Sequence, residues 1–128
     1  MEKQIFEPAF SYKLIYIFRI NDSIHLGKLK IGEATIHTNK NWNELDVNCE
    51  ELNQAAKDRI NDYTTTAGIR YELLHTEIAV TDNNKSFSDK NVHEVLLRSG
   101  YKRFYFDTER KQNEWFIVNL DVAKNAIN

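Results

Sequence analysis

Several polar residues in this chain are spaced so that regular structure would bring them together. Asp89 and His93 are four residues apart, which puts both on one face of a helix. Arg59 and Tyr63 have the same spacing in an earlier segment. Carboxylates bind hard divalent cations and guanidinium groups bind oxyanions, so these types in this pattern suit chemistry on a charged oxygen-rich substrate. Glu94 lies beside His93, but its i, i+4 relation to Arg98 accounts for it as a surface ion pair. Glu114 directly precedes Trp115 and Phe116, whose burial would anchor its backbone. His75 and Glu77 share one face of a strand by period two, a second-choice pair. Three members have ordinary structural readings as well. A tyrosine in an apolar strand, such as Tyr16, is commonly a core residue, and Lys30 could be a solvent-facing lysine on an edge strand. Asp89 could also serve simply as a helix N-cap.

The elements that would position these groups are legible from periodicity. Tyr12 to Ile20 is rich in β-branched and aromatic residues and predicts a buried strand. Asn21-Asp22-Ser23 predicts a turn, and Leu26 to Gly32 alternates apolar with polar or glycine, predicting the return strand of a hairpin. Glu33 to Asn48 is polar and irregular and predicts a loop with one helical turn. Leu52, Ala55, Ala56, Ile60 and Tyr63 then fall on one face of an amphipathic helix over 50–63. A strand is expected from Ile69 to Val80, with Arg70 at its start. A helix follows, capped by Ser88 or Asp89, running to Arg98 and closed by Gly100. Phe104-Tyr105-Phe106 and Trp115 to Val118 predict short strands, and Leu120 to Ile127 a final helix. The order predicts an α+β domain with a small central antiparallel sheet of about three main strands, flanked by helices.

A chain of 128 residues fits one domain, 1–128, which could equally be the N-terminal part of a larger protein. Cys49 is the single cysteine, which excludes an internal disulfide and a thiolate zinc cluster and favours a reducing, cytoplasmic setting. A Cys49 nucleophile would need a basic partner that the sequence does not single out. No run approaches the roughly 18 apolar residues of a membrane span, and Met1 to Gln4 leads into no apolar signal segment. Glycine-rich nucleotide cradles and the Gly-x-Ser-x-Gly elbow are absent. A net charge of −2 argues mildly against a nucleic-acid partner, since phosphate-binding proteins are usually basic on at least one face.

Five ordered pieces point the other way. They are Leu14-Ile15-Tyr16, Lys30-Ile31-Gly32, Arg59 within Ala55 to Ile60, Asp89-x-x-Val92-His93, and Glu114-Trp115-Phe116. In this order and spacing the chain resembles the GIY-YIG nuclease superfamily, in the phage- and restriction-associated branch with a Lys-Ile-Gly second motif and a Glu-Trp-Phe element. Lys30 stands where the superfamily usually has tyrosine, and Asp89 where it usually has glutamate. The resemblance implies a metal-dependent endonuclease domain hydrolysing DNA, duplex by expectation, attached to a restriction or helicase system. It implies that Tyr16 helps activate water, that Lys30 sits near that water or the phosphate, and that Arg59, with Tyr63 beside it, holds the scissile phosphate. Asp89, or alternatively Glu94, would bind one Mg²⁺ or Mn²⁺, with His93 orienting a water or phosphate oxygen and Glu114 completing the site. The alternative from another class is a degenerate module that binds DNA or a partner domain without cutting.

Overall fold

Ten-residue strands β1 (Phe10–Arg19) and β2 (Leu29–Thr38) form the centre of the molecule, paired antiparallel from Phe10↔Thr38 to Phe18↔Lys30. They are seen in a computed structural model whose described residues are 9–65, 67–104 and 114–128, the side chain of Tyr63 excepted. Strand β3 (Glu72–Ile78) joins the far side of β1, and the two-residue β4 (Trp115–Phe116) joins β2 at Leu29 and Lys30. The sheet order is therefore β3-β1-β2-β4, all antiparallel. Helices α1 (Glu50–Thr64), α2 (Asp89–Arg98) and α3 (Leu120–Ile127) pack on it. The α+β architecture expected from the sequence is the one that forms, with three main strands and a short fourth.

Leu14 to Phe18 is buried at every position because both faces of β1 are covered. Leu14, Tyr16 and Phe18 pack with Leu52, Ala56 and Ile60 of α1. Ile15 and Ile17 pack with Val92 and Leu96 of α2 and with Ala123 and Ile127 of α3. A fully apolar strand sandwiched between helices reads as a continuous hydrophobic run, which is why its limits were nearly right in the sequence.

The hairpin differs from its expected form. Glu33 to Thr38, expected to be irregular, continues β2: Ala34 and Ile36 are buried and alternate with exposed Thr35 and His37. With only two apolar residues, that alternation was too sparse to stand out. Leu26 to Lys28, expected in the strand, belongs instead to the connection, where Gly27 adopts φ 75° and Leu26 is exposed. The third strand is also shorter than expected, starting at Glu72 rather than Ile69.

Helix α2 matches its expected limits. Ser88 is the residue before the first turn, its N–H donating to Asn91 Oδ1 at 2.9 Å, so Asp89 is not the cap but the first helical residue. At the other end Gly100 takes φ 91°, and the Gly100 and Tyr101 N–H groups donate to the Leu97 and Leu96 carbonyls. Of the expected strand over 104–106, Tyr105 and Phe106 lie outside the described residues. Arg103 forms an isolated bridge with Phe116, and the Phe104 N–H donates to the Trp115 carbonyl at 2.8 Å. Ile117 and Val118 lie beyond the strand, which ends at Phe116.

Tyr16 lies opposite Gly32 in the hairpin register. A methyl group on Gly32 would stand 2.5 Å from Tyr16 Oη and 2.6 Å from its Cζ, so the bare glycine is what admits the ring. Gly32→Ala is expected to destabilise the domain by about 1–3 kcal/mol, while Thr35→Ala on the same strand stays within about 0.5 kcal/mol. Urea denaturation of the two variants beside the wild type measures both.

Candidate active site at the edge of the sheet

Strand β2 delivers groups to both faces by its period of two. Leu29, Ile31 and Glu33 point towards α2, whereas Lys30, Gly32 and Ala34 share the side of α1 and Tyr16. Strand β4 covers β2 only at Leu29 and Lys30, and the Ile31 N–H donates to the Glu114 carbonyl at 3.0 Å. Where β4 leaves off, the N-terminus of α2 arrives with Asp89. The charged groups therefore gather at one place, at the edge of β2.

Lys30 is the centre of this group. Its side chain is 12% exposed and its Nζ lies 3.2 Å from Glu114 Oε2. Burial pulls the ammonium below its ordinary pKa, opposed by the attraction and hydrogen bond of Glu114. Arg59 is near enough to lower it further, and Asp89 near enough to raise it. Four residues expected in the site, from β2, α1, α2 and the approach to β4, thus act on one another.

Asp89 is buried, 5% exposed, and carries the largest perturbation. Burial first, then hydrogen bonds and like charge from Glu33 and Glu114, push its carboxyl up to about 7. Glu33 moves oppositely: burial works to raise it, but hydrogen bonds from Asp89 and Lys13 outweigh burial and leave it below the usual range. Lys13 Nζ stands 3.1 Å from Glu33 Oε2. Contact between the two thus pushes Asp89 up and holds Glu33 down.

His93 faces the same cleft as Asp89, one helical turn on, but its Nε2–H donates to the Ile31 carbonyl at 2.8 Å. Burial holds the imidazole below its ordinary pKa and so neutral, and its ring lies 5.0 Å from that of Phe116. This fixes α2 against β2, so His93 has a positioning part whatever else it does. Tyr16 is 2% exposed, its ring stacked 5.9 Å from Phe18 over Gly32. The side chain of Tyr63 lies outside the described residues.

Lys30, Asp89, Lys90, His93, Glu94, Arg103 and Glu114 line a cleft of about 600 Å³. A second, shallower cleft of about 490 Å³ holds Arg59 with Glu33, Asp58 and Asp62. Glu94 reaches the first cleft, yet it is exposed and its nearest cation is Arg98 at 3.7 Å, the expected surface pair. His75 and Glu77 do not join the site: they pair with each other at 3.1 Å on β3, across β1 from β2. Arg70 is exposed between α1 and β3.

Two members were missed in the sequence. Glu33 shares the parity of Leu29 and Ile31, so extending the strand by one residue would have found it. Arg103 had no local signal, because only its bridge to Phe116 brings it to the cleft.

The donor set suits a hard cation held at one point. Asp89 could supply one carboxylate oxygen once its proton is displaced, with water and substrate oxygens completing an octahedron. Among the described residues no three His, Cys, Asp or Glu side chains are grouped to hold a metal ion by themselves. No helix of the described residues is long and apolar enough to cross a membrane. The chain matches no family model, no curated protein and no solved structure at a significant level.

A carboxyl raised in the folded state contributes stability that is fully present below about pH 4 and is lost as pH rises through about 7. Asp89→Asn removes that loss and keeps a donor for Glu33. The variant is expected to gain roughly 1–3 kcal/mol on the wild type at pH 8 and little at pH 5. Thermal melts of both proteins at the two pH values, without divalent cations, check the sign.

Proposed function

We propose that this chain is a metal-dependent endonuclease domain that hydrolyses phosphodiester bonds of DNA, built on a GIY-YIG-like hairpin. The observation that carries the reading is the Lys30 ammonium set within the fields of Arg59, Asp89 and Glu114 beside the buried Tyr16. These residues come from separate elements, and structural stability alone does not call for such a concentration of charge.

In this reading each group has a task fixed by its place. Asp89 would hold a Mg²⁺ or Mn²⁺ ion, which would supply Lewis-acid stabilisation of the phosphate charge. Tyr16 Oη, its ring clamped over Gly32, orients the attacking water from the face of the sheet that Lys30 shares. Lys30 supplies positive charge there, held by Glu114 so that its direction is set before substrate arrives. Arg59, at the exposed end of its cleft, takes the phosphate oxygens through its planar fork. Water adds to phosphorus, the bond to the leaving oxygen breaks, and the water's proton passes to solvent or a neighbouring base.

One observation favours the alternative of a binding module that does not cut. Lys30 and Glu114 already satisfy each other as an ion pair, which would leave neither free to act unless substrate separates them. The two readings differ in activity. The nuclease reading expects Mn²⁺-dependent nicking of plasmid DNA that falls about 100-fold or more in Arg59→Ala and about tenfold or more in Tyr16→Phe. Cleavage that persists in chelator, or is indifferent to both substitutions, would leave only the binding module.

Metal binding offers a test apart from turnover. Because the ion must displace the Asp89 proton, Mn²⁺ affinity is expected to rise about tenfold between pH 6 and pH 7.5, and Asp89→Asn to abolish it. Electron paramagnetic resonance of free Mn²⁺ in titrations at the two pH values measures this directly.

A further inference from the structure

Arg103 stands out among the cations of the larger cleft. Lys30 is paired with Glu114, whereas Arg103 makes no ion pair among the described residues, although Asp89, Glu94 and Glu114 line the same cleft. Its guanidinium carbon lies 5.7 Å from the centre of the Phe116 ring, and its buried Nε has no hydrogen-bond partner. That Nε is closed to solvent, but Arg103 as a whole is half-buried and lines the cleft, so the rest of its planar head is placed to meet an external oxyanion.

The backbone around it is not loose. Arg103 bridges Phe116, the Ile117 N–H donates to the Lys102 carbonyl at 3.0 Å, and the Phe104 N–H to that of Trp115 at 2.8 Å. The stem therefore starts from a fixed point, and the Phe116 ring, packed on its other contact against His93, gives the planar head a surface. A pre-oriented guanidinium loses less entropy on gripping an anion than a free one. Asp89 lies in the same cleft, so an anion there could touch both Arg103 and an ion held at Asp89. Arg59 lines the other cleft, with Glu33, Asp58 and Asp62.

We infer that Arg103 is a second phosphate-binding residue, holding a nucleic-acid backbone phosphate in the Asp89 cleft while Arg59 holds the strand from its own neighbouring cleft. The ligand class is a phosphodiester or phosphomonoester on a nucleotide, recognised by a planar bidentate donor. This rests on the proposed nuclease reading for its substrate, but the phosphate site can be tested without turnover.

The probe is thymidine 3′,5′-bisphosphate, titrated calorimetrically with Ca²⁺ present, against wild type, Arg103→Gln and Arg103→Lys. The glutamine keeps a stem against Phe116, and circular dichroism melts establish that each variant is folded. Expected is saturable binding to the wild type, at least tenfold weaker in Arg103→Gln and partly restored in Arg103→Lys. Equal affinity in wild type and Arg103→Gln overturns the inference, as does a wild type that does not bind the probe. Sulfate competing as well as the bisphosphate at equal concentration also overturns it, since the site would then select no nucleotide. Arg103-dependent binding by a protein that never nicks DNA would sustain the phosphate site and sink the nuclease reading. Mn²⁺-dependent, Arg59-dependent nicking with unchanged KM and kcat in Arg103→Gln would do the reverse.

Discussion

The approach of the Tyr16 ring to the bare backbone of Gly32 governs how the central hairpin is built and what it presents. Because side chains alternate along a strand, fixing that one cross-strand pair fixes the side on which every other β2 residue stands. Lys30 is thereby committed to the face of Tyr16 and α1, and Glu33 to the face of α2. A slip of one residue would exchange them and bury a lysine among Ile15, Ile17, Val92 and Leu96. The apolar faces around Leu14–Phe18 make such a slip costly, so the core and the polar edge specify the same register.

From that register the electrostatics follow. Asp89 is carried to the edge of β2 by the first turn of α2, where the helix dipole favours a carboxylate. Burial and the two neighbouring glutamates oppose that preference and win, holding the Asp89 carboxyl well above the usual range. His93, neutral and donating to Ile31, pins the helix so that this proximity persists. The result is a carboxyl raised towards neutrality near a lysine that burial holds below its ordinary pKa, with Glu114 opposing only in part. Such opposed shifts are the way proteins keep exchangeable charge at one point, and they are more frequent at functional sites than elsewhere.

Legibility from the sequence varied with the strength of the local pattern. The limits of α2 and α3 were readable because Ser88, Gly100 and the spacing of Val92 and Leu96 all agreed. The second half of β2 was not, because Glu33, Thr35 and His37 dilute the two apolar residues that mark it. Tyr16, Lys30, Arg59, Asp89 and Glu114 were picked out by their order along the chain, and the tertiary structure brings Arg59, Asp89 and Glu114 within the field of Lys30. Glu33 was hidden by the misjudged strand end. Arg103 was hidden because no periodicity links it to its neighbours in space.

By itself the sequence determined the classes of element, the buried strand at the centre and the α+β arrangement, since each depends on hydrophobic periodicity within a few residues. It also supplied the residue types from which a site could be made. Only the tertiary structure decided that Asp89 would lie against Glu33, that Lys30 would be held by Glu114, and that Arg103 would enter the cleft with no ion pair among the described residues. Those outcomes depend on distances between groups 14 to 84 positions apart in the chain, set by sheet register and helix packing, which no local pattern encodes.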